Sequence, residues 1–110
     1  MSRDLILVFS NPVEGREDEY NDWYDGVHLA DVARVPGVRS ASRFEYQPTS
    51  FGNATPAPTA HRYLAVFEVD GDGEDVLAEM GRRAGSAEMV RSDAFDLENS
   101  LTCIWKRRTP

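Results

Sequence analysis

The sequence predicts one α+β domain with elements in the order βαββαβ, a four-stranded antiparallel sheet carrying two helices on one face. Three observations carry that prediction. Apolar runs suited to strands open the chain, recur in its middle and close it; two amphipathic stretches stand between them; and Pro-Gly, proline-rich and Asp-Gly segments separate the pieces. At 110 residues the chain has room for a single domain, residues 1–110, and none for a second.

Each element follows from its local pattern. Leu5 to Phe9 is an uninterrupted apolar run that ends at Ser10-Asn11-Pro12, which reads as a strand buried on both faces. Arg16 to Asp25 is acidic in its first turn, as suits the positive end of a helix dipole, and Tyr20, Tyr24 and Val27 form an aromatic stripe with Trp23 at its margin. The helix is expected to falter near Gly26 and the chain to stop at Pro36-Gly37. Val38 to Tyr46 alternates as a second strand, with Val38, Phe44 and Tyr46 on one side and Arg39, Arg43 and Glu45 on the other. Pro48 to Ala60, with three prolines, a glycine and no charge, is an irregular connection long enough to fold over a pocket. Arg62 to Val69 is apolar on both faces and reads as strand three, turned by Asp70-Gly71-Asp72-Gly73. Val76, Leu77, Met80 and Ala84 mark a second helix ended by Gly85-Ser86, followed by a short turn from Ala87 to Arg91. Leu101 to Lys106 supplies the last strand, with Leu101, Cys103 and Trp105 on one face.

Two β-α-β crossovers in so short a chain give the ferredoxin-like arrangement, in which one sheet face is left bare. Strands one and three carry large apolar side chains on both faces, and soluble monomers rarely expose such a patch, so a homodimer packed sheet to sheet is expected.

Composition narrows the function. Twelve basic against 19 acidic side chains leave a net charge of −7, which argues against nucleic acid or an anionic membrane as partner, and Lys106-Arg107-Arg108 reads as a solvated tail. Cys103 is the single cysteine and His28 and His61 are the two histidines, so no disulfide framework is possible and no metal site is expected. The run Leu5 to Phe9 is far below the ~20 residues that span a bilayer and lacks a basic leader, so a cytoplasmic protein is expected. Asp70 to Asp75 lacks EF-hand spacing, and no P-loop, GxGxxG or GxSxG motif is present; no cofactor is expected.

The strings Asn11-Pro12, Gly15-Arg16-Glu17, Asn21-Asp22-Trp23-Tyr24-Asp25-Gly26-Val27-His28-Leu29 and Val35-Pro36-Gly37-Val38 carry a likeness. The chain resembles the EthD-like group of dimeric α/β-barrel proteins, over its first half as a motif and throughout as an order of elements. The resemblance implies a superfamily that includes muconolactone and methylmuconolactone isomerases, polyketide cyclases, cofactor-free quinone-forming monooxygenases and haem-degrading enzymes, with a pocket between helices and sheet. It also implies an acid/base role for His28, which matches the histidine at the end of helix one in the lactone isomerases; Ala30 stands where relatives often have Pro.

The residues suggest the same chemistry independently. His28 lies eight residues after Tyr20 and four after Tyr24, so all three can project from one helical face, and an imidazole with an ordinary pKa of about 6.5 exchanges protons at neutral pH. A carboxylate from Asp25, Asp31 or Asp22 is expected to orient it and raise its pKa; the structural alternative is that His28 fills the end of the helix. Asn11, just after strand one, is either an oxyanion donor, together with Tyr24, or a turn opener. His61, at the mouth of the long loop, is either a second proton carrier or a hydrated loop residue. Tyr20, Trp23, Phe44, Tyr63, Phe67 and Trp105 offer flat apolar walls, and Arg43 either holds a substrate anion or makes a surface ion pair with Glu45 or a second subunit. The expected function is cofactor-independent proton transfer, an isomerase, cyclase or lyase reaction, on a small hydrophobic cyclic, aromatic or polyketide-like molecule. A cofactor-free monooxygenase and a non-catalytic binding dimer are the alternatives.

Overall fold

A computed structural model describes residues 3–49, 51–52 and 59–109. The elements are β1 (Arg3–Ser10), α1 (Glu17–Trp23), a π-helical turn (Tyr24–His28), α2 (Leu29–Ala33), β2 (Val38–Glu45), β3 (Tyr63–Asp70), α3 (Gly73–Arg83) and β4 (Leu101–Lys106). The strands lie in the order β2-β3-β1-β4, with every neighbouring pair antiparallel. That is the ferredoxin-like arrangement the order of elements predicts.

One core joins the helical layer to one sheet face. Tyr63, Ala65, Phe67 and Val69 alternate inward from β3 and, with Ile6, meet Tyr20, Tyr24, Val32, Val35, Val76 and Met80. Burying each of the large side chains contributes about 2 kcal/mol, so this layer supplies most of the driving force. Gly37 lets the chain turn into β2: its φ is +98°, and a Cβ there would sit 2.8 Å from Val76 Cγ2, so only glycine allows α3 this close.

Several expectations are corrected. The helix is disturbed at Gly26 as expected, but there it widens into the π-helical turn and continues to Ala33, so the first crossover is longer than the aromatic stripe suggested. Register slips between Val38 and Ser40 of β2, and this bulge rotates the strand by one residue. Val38 therefore shares the inner face with Ala41 and Arg43, while Phe44 points to the outer one. Lys106 is solvent-exposed, as expected of this basic end, but it is also anchored: its Nζ donates to the fully buried carboxylate of Asp4 (2.9 Å), which also accepts from Gly73 N at the start of α3 (2.8 Å). Those donors, Lys106 foremost, hold Asp4 below the usual carboxylate range. The expected cover from the Pro48–Ala60 connection falls largely outside the described residues.

The stretch after α3 has no regular element, yet it is part of the core. Met89 and Ala94 are buried, Val13 N donates to Ala94 O (2.7 Å) and Asp96 N to Asn11 O (3.1 Å), which pin this stretch beside the end of β1. The outer sheet face carries Leu5, Leu7, Phe9, Phe44, Leu64, Val66, Leu101, Cys103 and Trp105 in facing rows, and Trp105 is 60% exposed. Among the described residues no helix is long and apolar enough to cross a membrane.

Candidate active site

The π-helical turn makes the site. In an α-helix, residues five apart are rotated by about 140° and cannot face one another. Here the turn widens to i→i+5 bonding, with Leu29 N–H donating to Tyr24 O. His28 is thereby brought over Trp23, ring centroids 4.5 Å apart and planes 20° from parallel, while Tyr24 meets the imidazole edge-on at 5.0 Å.

His28 and Trp23 form one wall of a cavity of about 220 Å³. The other wall comes from the irregular stretch after α3: Ala84, Met89, Val90, Phe95 and Leu97, with Arg91 and Ser92. Trp23 Nε1 donates to Val90 O (3.0 Å) and ties the two walls together. The imidazole Nδ1 of His28 is buried and has no hydrogen-bond partner among the described residues. Burial lowers the His28 pKa to about 4; the Asp31 charge opposes this and Arg43 adds to it, so the ring is neutral at physiological pH. The expected upward shift is thus reversed. Asp31 hydrogen-bonds Arg34 and accepts from Val90 N (3.3 Å), and Asp25 binds Arg43, so neither carboxylate orients the imidazole.

Behind the imidazole lies a second layer. The Arg43 side chain is 10% exposed, and its guanidinium carbon sits 4.3 Å from the Tyr24 ring centre and 5.1 and 5.2 Å from those of Tyr63 and Tyr20. Its Nη1 donates to Asp25 (2.7 Å) and Nη2 to Asn21 Oδ1 (2.9 Å); the expected pairing with Glu45 does not form, because the guanidinium turns under the helix toward Asp25 and Asn21. Tyr20 Oη is hydrogen-bonded to Ser10 Oγ (2.6 Å), but the buried Tyr24 hydroxyl has no partner among the described residues. Burial raises the Tyr24 pKa, so it stays a protonated donor. Among the described residues no three His, Cys, Asp or Glu side chains are grouped to hold a metal ion.

No family model and no curated protein matches the chain. Among solved structures, the crystal structure of an ethyl tert-butyl ether D (EthD) family protein from Bacillus halodurans C-125 superposes with a TM-score of 0.54 at 13% identity, over 98% of this chain and 100% of that one. The fold is EthD-like.

Within this EthD-like fold several expected site residues are kept apart. Asn11 clamps the sheet: its Nδ2 donates to Ala60 O (2.8 Å) and its Oδ1 accepts from Arg62 N (2.8 Å), which holds the amide at the start of β3, outside the lining of the His28 cavity. His61 packs on Phe9 (5.9 Å) at the outer face, away from His28. Phe44 and Trp105 point to that same outer face, because of the β2 bulge and the register of β4, and cannot wall the His28 cavity. Phe67 is core, 1% exposed, and Tyr63 accepts from Asn21 Nδ2 (3.2 Å) in the layer behind. Met89, Val90, Phe95 and Leu97 were not foreseen as site residues; the paired apolar positions Met89-Val90 and Ala94-Phe95 in a polar stretch were the signal for them.

Proposed function

We propose that this chain is a cofactor-independent enzyme that moves protons on a small hydrophobic cyclic, aromatic or polyketide-like molecule held between Trp23, His28 and Phe95. The observation that carries this reading is a neutral His28 on the wall of a largely apolar cavity, its buried Nδ1 without a hydrogen-bond partner among the described residues. Buried polar atoms are nearly always paired, so a residue with an unpaired one beside a cleft is a candidate for function. The cavity is smaller than the roughly 300–1,000 Å³ usual for drug-sized ligands, so a body of one or two rings fits.

In this reading neutral His28 takes a proton from an acidic C–H of the substrate. The imidazolium that forms returns the proton to another carbon of the enolate, while Tyr24, in the layer behind, packs edge-on against the imidazole and not against the substrate. The enolate offsets the desolvation that keeps the free imidazole neutral, so the pair forms only as charge develops. Asp25 and Asn11 act elsewhere, as an Arg43 partner and a sheet clamp.

The test is hydrogen–deuterium exchange at acidic C–H positions of a panel of lactones, enols and polyketide-like aromatics, followed by NMR in D₂O with oxygen uptake recorded alongside. The parent is expected to accelerate exchange on at least one compound without consuming oxygen, and His28→Gln to lose it. Uptake of oxygen would move the assignment to a cofactor-free monooxygenase; saturable binding with no exchange would move it to a carrier.

The outer sheet face supports a homodimer. Nine apolar side chains in facing rows exceed what soluble monomers leave in water, and a two-fold axis brings the face onto its own copy.

A further inference from the structure

Arg91 lines the same cavity as His28 and Trp23, yet it makes no hydrogen bond or ion pair among the described residues. The eight arginines between residues 3 and 83 are all ion-paired, and besides Arg91 it is Arg107 and Arg108, beyond β4, that make no ion pair among the described residues. In a chain with a net charge of −7, carboxylates are abundant, so a guanidinium left without one beside an apolar cavity stands out.

Its position is built. Gly85 has φ +85°, and a Cβ there would meet Arg91 Nε at 3.1 Å and Cζ at 3.2 Å, so the guanidinium lies directly on the glycine backbone. Gly85 N donates to Met89 O (2.8 Å), which closes the small loop that leads into Val90 and Arg91, and Trp23 Nε1 holds Val90 O. The cation is therefore fixed to the segment that forms the cavity wall. A planar guanidinium is weakly hydrated and matches a carboxylate with two parallel hydrogen bonds, and apolar neighbours strengthen such a contact by excluding water.

We propose that Arg91 is the specificity determinant of this cavity, selecting ligands that join an apolar ring body to an acidic group, a carboxylate or an acidic enol. The inference rests on the cavity being the ligand site of the proposed enzyme, and it deepens that reading by naming the substrate class. The overall negative charge of the protein repels anions, so a local cation is what such a ligand needs. Of the cavity-lining side chains Arg91 alone carries a permanent positive charge.

The experiment compares 1-naphthoate with 1-acetonaphthone, a matched pair that differs in the acidic group, by quenching of Trp23 fluorescence in a Trp105→Phe background. Naphthoate is expected to bind about tenfold more tightly than the ketone, and Arg91→Gln to abolish that preference while leaving ketone binding unchanged. Gly85→Ala, which displaces the guanidinium, is expected to reduce the preference in the same direction. Equal binding of the two ligands by the parent, a preference that survives Arg91→Gln, or no quenching by either ligand overturns the proposal. His28→Gln separates the two readings: it is expected to keep the acid preference while losing proton transfer, so a failure of proton transfer leaves the Arg91 assignment standing.

Discussion

His28 lies flat against Trp23, five residues earlier in the chain, with ring centroids 4.5 Å apart. That pairing exists because one helical turn is widened, and it turns the imidazole toward the stretch after α3. The stack, the indole hydrogen bond to Val90 O and an Nδ1 without a partner among the described residues belong to one arrangement.

Replacement of His28 by Gln is expected to slow proton transfer by about 10²–10⁴-fold, the usual contribution of one positioned acid/base group. Far-ultraviolet circular dichroism checks that the helix persists. A loss of less than about tenfold counts against His28 as the base.

The stability of the protein should depend on pH through this same residue. His28 titrates near 4 in the folded chain against an ordinary 6.5, so between those values the unfolded chain binds a proton that the folded one refuses. Stability is therefore full above pH 6.5 and falls as the pH drops toward 4, by at most about 3 kcal/mol. Urea unfolding at pH 7 and pH 5 measures the part of this loss that precedes carboxylate titration, and His28→Gln should remove it.

Tyr24→Phe should raise stability. The buried hydroxyl has no partner among the described residues, and an unsatisfied buried group costs about 1–3 kcal/mol, so its removal is expected to stabilise by about 1 kcal/mol. Thermal unfolding of the parent and the variant reads the effect. A destabilised Tyr24→Phe protein would mean that the hydroxyl is satisfied in solution.

Phe95→Ala is expected to destabilise by about 2–4 kcal/mol and to enlarge the cavity. Phe95 packs near Tyr20, Trp23 and Tyr24, with centroids 6.2, 6.0 and 6.3 Å away, so its loss opens the wall that faces the imidazole. Larger aromatic ligands should then bind more tightly than to the parent, which calorimetric titration can check.

The proposed sheet-to-sheet dimer predicts that Trp105→Asp, on the outer face, halves the mass seen by light scattering at micromolar concentration. His28 chemistry on the other face should change little in the same variant. A parent protein that is already monomeric removes the dimer.

Periodicity and turn residues determined much of this protein. The four strands, both helices and the ferredoxin-like order follow from alternation, from the Tyr20-Tyr24 stripe and from Pro36-Gly37, because these signals are local and each residue reports its own face. His28 was legible as a candidate for the same reason, as a titratable side chain at the end of that stripe. Tertiary structure decided the rest. The direction of the His28 pKa shift depends on burial, which no spacing to Asp25 or Asp31 reveals. The bulge after Val38 turned Phe44 outward and Arg43 inward, and a one-residue slip of that kind leaves no clear mark in an alternating sequence. The wall of Met89, Val90 and Phe95 comes from an irregular stretch with no period to read, and only its packing against Trp23 and the end of β1 makes it part of a site.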